Sequence, residues 1–101
     1  MATLITRLIT GEEILGEVES LTNNECKILN PTQIAVAPNP KTGNVDVHMA
    51  PFAPLAADKH IVVNLNAVLC QYSPVTEVLN KYNTMFGSGL IIPNSGELAT
   101  L

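Results

Sequence analysis

The chain has 101 residues, of which 47% are hydrophobic and only 14% are charged, and its formal net charge is −4. A chain of this length forms one domain with little interior, so we expect another copy to cover part of the apolar excess. Its five basic residues are scattered, which argues against a general coating of double-stranded DNA or of a membrane surface.

Processing and redox features are few. The first twenty residues lack a signal-peptide pattern, and no stretch approaches the roughly 18 apolar residues of a membrane span. We therefore expect a cytoplasmic protein. Cys26 and Cys70 are predicted to be small buried hydrophobic residues in a reducing compartment, with a disulfide as the alternative.

The first half of the sequence predicts short strands. Residues 3–9 are rich in β-branched side chains, and residues 13–20 alternate so that one face is mostly acidic. Gly16 interrupts the second of these strands and predicts a sharp bend or a close approach. Pro31 breaks the next extended stretch, so pairing there needs an edge or a bulge.

Further along the chain, turn signals and alternation continue. Residues 38–44 are a polar hairpin loop, residues 45–49 alternate again, and the Pro-broken segment 50–58 is predicted to be an irregular loop or bent strand. Residues 60–65 and 67–72 are the most apolar strands, which we expect to be covered on both faces.

A helix is predicted at about residues 74–86, with Ser73 as N-cap and Pro74 at its first position. Apolar residues at helical spacing form its stripe: Val75, Val78, Leu79, Tyr82 and Phe86. Gly87-Ser88-Gly89 is predicted to end it. The domain then spans residues 1–93, and residues 94–101 are expected to form a flexible tail.

Two groups of residues resemble the signatures of the Sm-like family. Gly11, Gly16, Val18 and Leu21, followed by Ile28-Leu29, match the first signature, which runs from a turn glycine to the third strand. The second signature is matched by two short apolar strands, Ile61-Val62-Val63 and Val68-Leu69. The resemblance covers about residues 3–73, and the chain is also similar to small proteins of marine cyanophages, which would place it in the host cytoplasm.

The chain departs from the family at specific positions. Thr22, Cys26 and Asn64-Leu65 stand where the family carries an RNA-contacting Asp, an RNA-contacting Asn and an Arg-Gly pair. The helix here follows the last strand, whereas the family's helix precedes the first. These departures weigh against RNA binding more than against the fold, because a fold does not by itself supply a function.

The resemblance implies a mostly β fold, a small, strongly bent five-stranded antiparallel barrel, here with one C-terminal helix. It also implies a homo-oligomeric ring, which we expect to contain roughly five to seven subunits, with each last strand added to the edge of a neighbour's sheet. The residues expected at this interface are Val62, Val63, Val68, Leu69 and Tyr72.

In the family, single-stranded RNA is held near the central pore by two loops. The corresponding RNA-binding candidates are Thr22, Asn23, Asn24, Asn64 and Asn66. Asparagine can hydrogen-bond base edges without carrying charge, but it is also an ordinary turn residue. Two interpretations therefore stay open: a ring that binds single-stranded RNA, and a ring-forming scaffold that does not.

The sequence offers little for catalysis. His48 and His60 are the only histidines, and neither lies at metal-ligand spacing from a thiol or carboxylate. The regularly placed glutamates of residues 12–19 are typical of a solvated strand face, and no nucleophile–base pair can be named. We therefore predict a protein without enzymatic activity, cofactor or metal.

Overall fold

The computed structural model describes residues 2–86 of the chain. It contains six strands, one turn of 3-10 helix and one α-helix. The strands are β1 (Ala2–Leu8), β2 (Glu13–Ser20), β3 (Glu25–Pro38), β4 (Val45–Pro51), β5 (His60–Asn64) and β6 (Val68–Tyr72). The 3-10 turn spans Leu65–Ala67, and helix α1 spans Thr76–Met85.

All six strands belong to one antiparallel sheet in the order β4-β3-β2-β1-β6, with β5 beside β3 as well. The long strand β3 serves two partners on the same edge. Its first half, Glu25–Leu29, pairs with β5, and its second half, Thr32–Pro38, pairs with β4. The mostly β fold with a C-terminal helix is confirmed. The sheet has six strands and is not closed into a barrel, because β6 pairs only with β1 among the described strands.

The two halves of β3 meet at a kink. Asn30 adopts a left-handed conformation with φ of +49°. Together with Pro31 it lies opposite the single residue Gly16, where the β2–β3 register shifts. A Cβ on Gly16 would stand 2.7 Å from the carbonyl oxygen of Leu29 and would overlap the side chain of Ile28. The close approach predicted at Gly16 and the bulge predicted at Pro31 are both confirmed.

The sheet carries apolar clusters on its two faces. Neighbouring residues of β2 point to opposite sides, so Ile14 packs with Cys26, Ile28 and Val63 on one face. Leu15 packs with Ile5 of β1 and Tyr82 of α1 on the other face. The helix therefore covers one side of the sheet, and Tyr82 is its only buried residue.

The helix begins later than predicted. Val75 occupies the N-cap position with an extended backbone and without a side-chain cap, so the prediction of Ser73 as N-cap is wrong. The residue before a proline avoids the helical region, which disfavours a helix that begins around Ser73. Within the predicted stripe Tyr82 is buried, whereas Val75 and Phe86 are exposed. The predicted helix end at residues 87–89 and the tail at 94–101 lie outside the described residues.

The last two strands are more exposed than predicted. Leu69 is 63% exposed and Val62 is 50% exposed, so the expectation that both faces of these strands are covered is wrong. Among residues 2–86, β5 and β6 each pair with a single strand, so neither lies in the middle of the sheet. Cys26 is buried as predicted, whereas Cys70 of β6 is exposed, and both thiols are free. No helix among residues 2–86 is long and apolar enough to cross a membrane.

Candidate functional site

The two loops that carry the RNA-binding candidates lie side by side. One is the turn between β2 and β3, and the other is the 3-10 turn between β5 and β6. The amide of Leu65 donates a hydrogen bond of 2.7 Å to the carbonyl oxygen of Asn24. Next to this contact, Glu25 and Asn64 are opposite each other in the β3–β5 ladder. The ladder therefore sets the position of one loop relative to the other.

Two of the candidate side chains stabilise their own turns. The hydroxyl of Thr22 accepts a hydrogen bond from the amide of Asn24 at 3.1 Å. The side-chain oxygen of Asn64 accepts one from the amide of Asn66 at 2.9 Å. These are the local bonds expected of turn residues, so the ordinary turn interpretation holds for Thr22 and for the oxygen of Asn64.

The remaining amides face solvent. The side chains of Asn23, Asn24 and Asn66 are exposed and make no hydrogen bond with any other residue among residues 2–86. Each presents two N–H donors and one carbonyl acceptor. They are therefore available to pair with the edge of an unstacked base or with a polar group of a protein partner.

Charge is sparse around these loops. Glu25 contributes a carboxylate that accepts a hydrogen bond of 3.4 Å from the hydroxyl of Thr22. Neither loop contains a lysine or an arginine, since the five basic residues lie elsewhere: Arg7, Lys27, Lys41, Lys59 and Lys81. A ligand recognised here would be held through uncharged hydrogen bonds, with a weak dependence on salt.

The two strands that flank the second loop have open edges. Strand β5 pairs only with β3, and β6 pairs only with β1, within the part of the chain that is described. Of the predicted interface residues, Val62, Leu69 and Tyr72 are exposed. Val63 is 9% exposed within the apolar cluster around Ile14, and Val68 packs against that same cluster. The side chains of these last two serve the subunit's own core.

Tyr72 is anchored at the end of β6. Its hydroxyl donates a hydrogen bond to the carboxylate of Glu13 on β2. Partial burial, together with this carboxylate, raises the pKa of the Tyr72 hydroxyl to about 12. The phenol stays protonated at neutral pH and remains a donor, and the residue is 43% exposed.

The edge of β4 differs from the other two. The ammonium group of Lys81 on α1 donates a hydrogen bond of 3.0 Å to the carbonyl oxygen of Val47. A helical side chain thus occupies part of the free edge of this strand. Sequence reasoning missed this contact, because it depends on how α1 packs across the sheet.

A further feature missed by sequence reasoning is a cavity of about 300 Å³ beside the kink of β3. It lies between the β4–β5 loop and the end of α1. Its signal in the sequence was the Pro- and Ala-rich segment 50–58, which was predicted only to be an irregular loop or bent strand.

The described residues contain no group of three or more His, Cys, Asp or Glu side chains that could hold a metal ion. His48 is exposed on β4, and His60 is half-buried at the start of β5. Burial raises the pKa of the Cys26 thiol, which makes it less nucleophilic.

No family model matches this chain. No curated protein matches it either.

Proposed function

We propose that this chain is a subunit of an Sm-like ring in which β6 of one copy pairs with the open edge of β5 of the next. Two features of the sheet support this proposal. The last strand returns to β1, and β3 has a positive-φ residue, Asn30, in its middle, which is compatible with the bent sheet that the family resemblance implies. With its two open edges joined between copies, the bent sheet closes across subunits.

The lengths and surfaces of the two edges are compatible with such pairing. Strands β5 and β6 are both five residues long, so a complete ladder can form between them. Val62 on one edge and Leu69 on the other expose aliphatic side chains that a neighbour would cover. Head-to-tail contacts of this kind close into rings when the rotation per subunit allows it, here roughly five to seven copies.

In this ring, the paired loops of each subunit bind single-stranded RNA. The observation that carries this part of the proposal is the hydrogen bond from Leu65 to Asn24, which holds the two asparagine-bearing loops together. Rotational symmetry repeats this pair of loops around one axis. Asn23, Asn24 and Asn66 then form a circle of uncharged donors and acceptors suited to base edges.

A scaffold that forms the ring but does not bind RNA is the second candidate. The observation that favours it is electrostatic: the net charge is −4 and both loops lack basic residues. Phosphate contacts supply much of the affinity of nucleic-acid-binding proteins. A ring of this charge would have to bind RNA through its bases alone.

Light scattering of the purified protein, alone and with short uridine-rich or adenosine-rich oligonucleotides, tests the proposal. We expect a closed oligomer of constant mass over a wide concentration range that gains mass with RNA. The double variant Asn24→Ala with Asn66→Ala removes two exposed amides but leaves the main-chain oxygen of Asn24 in place. We expect it to weaken binding about 5- to 100-fold, which corresponds to two lost hydrogen bonds.

The matched control is Asn44→Ala, in the exposed hairpin loop between β3 and β4. It should bind RNA like the unmodified protein, and all three proteins should have the same mass without RNA. Equal, weak binding by all three would contradict a site at the paired loops. An oligomer indifferent to RNA would favour the scaffold, and a monomer would contradict both candidates.

A further inference from the structure

The cavity beside the kink of β3 has an apolar wall and a fixed frame. Its apolar lining comes from the kink, the end of β4, the following loop and the end of α1: Pro31, Pro51, Ala53, Pro54, Ala56 and Phe86. A volume of about 300 Å³ is at the small end of the range for ligand pockets. It has room for a few aliphatic side chains.

Backbone hydrogen bonds tie both ends of the β4–β5 loop to the kink. The amide of Phe52 donates to the carbonyl oxygen of Pro31 at 2.9 Å, and the amide of Asn30 donates to that of Lys59 at 2.7 Å. Between these points the loop has only one backbone bond of its own in the described chain, from Ala56 to Ala53. The loop is thus held at both ends by bonds to the kink, and its middle lines the cavity through Ala53, Pro54 and Ala56.

The position and sequence of the chain beyond α1 indicate an occupant. Phe86, the last described residue, lines the cavity, and its ring lies 4.7 Å from that of Tyr82. Fifteen residues follow it in the sequence, and their first apolar run, Leu90-Ile91-Ile92, begins four positions later. Four residues span at most about 14 Å, which is enough to return to a cavity that the chain already touches.

We propose that Leu90-Ile91-Ile92 of the same chain binds in this cavity and braces the β4–β5 loop. A segment tethered by three glycine and serine residues has an effective concentration in the millimolar range, so it outcompetes a free peptide or the tail of another copy. The loop leads directly into β5, so this contact fixes the strand whose edge is the proposed subunit contact. The inference rests on neither the ring nor the RNA.

Methyl NMR of the full-length protein, labelled at Ala, Ile and Leu, tests this inference. We expect nuclear Overhauser contacts between the methyl groups of Ala53 or Ala56 and those of Leu90, Ile91 or Ile92. The double variant Ile91→Ser with Ile92→Ser should shift the Ala53 and Ala56 signals and leave that of Ala35, on the far half of β3, unchanged. Leu98→Ser, an apolar-to-polar change later in the same tail, should leave all three unchanged.

Two results would overturn the inference. The first is the absence of contacts between the tail and Ala53 or Ala56, together with Ala53 and Ala56 signals that do not shift in the Ile91→Ser and Ile92→Ser double variant. The second is a contact that appears between chains when labelled and unlabelled protein are mixed, because the occupant would then be the tail of another copy.

Discussion

The two halves of β3 pair with different strands, and the outer edges of those two strands differ. The first half, Glu25–Leu29, pairs with β5, whose outer edge is open and whose end carries the asparagine loop. The second half, Thr32–Pro38, pairs with β4, whose edge is contacted by Lys81 of the helix. Natural sheets cover or charge the edges that must not pair. This contrast is what the proposed ring requires: association at the β5 edge and none at the β4 edge.

The kink between the halves is what allows this division. Asn30 leaves the ladder with a positive φ, opposite a glycine that has no side chain to obstruct it. The hydroxyl of Tyr82 donates to the carbonyl oxygens of Leu29 at 3.1 Å and Asn30 at 3.4 Å, which satisfies groups at the kink. The hydroxyl of Tyr82 thus partners main-chain oxygens at the point where β3 changes from one neighbouring strand to the other.

The largest expected effect comes from charging an open edge. Leu69→Lys places an ammonium group on β6 and should reduce the protein from an oligomer to a monomer in sedimentation velocity. Covering such an aliphatic side chain contributes about 1.5–3 kcal/mol, so its loss at each contact weakens association by about 10- to 100-fold.

Val45→Lys is the matched control for this edge, since Val45 is exposed to a similar extent on β4. It should leave the mass unchanged. A monomer with Val45→Lys and an intact oligomer with Leu69→Lys would reverse the assignment of the two edges.

Gly16→Ala tests the kink itself. The added Cβ meets the carbonyl of Leu29 and the side chain of Ile28, and we expect a loss of about 1–3 kcal/mol in the free energy of unfolding by urea denaturation. Glu19→Ala, at an exposed position of the same strand, should change it by less than about 0.5 kcal/mol. Equal stabilities of the two variants would show that β2 and β3 can separate at no cost.

Tyr82→Phe removes the hydroxyl that binds the kink. Because the residue is buried and two carbonyl oxygens lose a donor, we expect a loss of about 1–3 kcal/mol in the free energy of unfolding. Urea denaturation measures this loss directly. Tyr72→Phe, at the partly exposed end of β6, is the comparison and should cost less.

The same tyrosine makes stability depend on alkaline pH. Burial, with the Glu17 charge, raises the pKa of the Tyr82 hydroxyl to about 12 from its ordinary 10.0. The folded state therefore holds the proton more tightly, so this stabilisation is complete below pH 10 and is lost as the pH rises towards 12. The free energy of unfolding should fall by up to about 1.4 kcal/mol per pH unit there. Tyr82→Phe should make the slope shallower and leave the part that comes from Tyr72, whose pKa is also raised to about 12, and an unchanged slope would contradict the assignment.

The smallest expected effect belongs to the covered edge. Lys81→Met keeps the aliphatic chain of the residue and removes its hydrogen bond to Val47, which is exposed to water. We expect a loss below about 1 kcal/mol in the free energy of unfolding. A rise in mass in sedimentation would show that this lysine also prevents pairing at β4.

Much of the fold could be predicted from local pattern. Alternation in residues 13–20 and 45–49 gave strands close to those observed, and Gly16 marked the close approach correctly. Pro31 indicated a bulge, but it did not indicate that β3 continues beyond it. That continuation depends on the positive φ of Asn30 and on the hydrogen bonds of Tyr82, which come from the tertiary structure. The exposure of Leu69 and Cys70 was missed for a similar reason: apolar composition does not distinguish a covered strand from an uncovered edge.

The candidate site was predictable only in outline. The asparagine loops were found as turns, and the family resemblance paired them, but no periodicity in the chain indicates that Leu65 reaches Asn24. The sequence allowed Thr22 and Asn64 to be either turn-stabilising residues or RNA contacts, and it did not distinguish between the two roles. The contact between Lys81 and Val47 and the cavity at the kink depend on helix placement, which the sequence does not encode locally.

Hydrogen exchange of the backbone tests the association of the open edges most directly. In the unmodified protein we expect peptides covering His60–Asn64 and Val68–Tyr72 to exchange slowly, because a neighbour's strand would bond the outward-facing amides of both edges. Leu69→Lys should make both exchange quickly and leave Val45–Pro51 unchanged. Rapid exchange of β5 and β6 in the unmodified protein, with no change in the variant, would contradict subunit pairing through these edges.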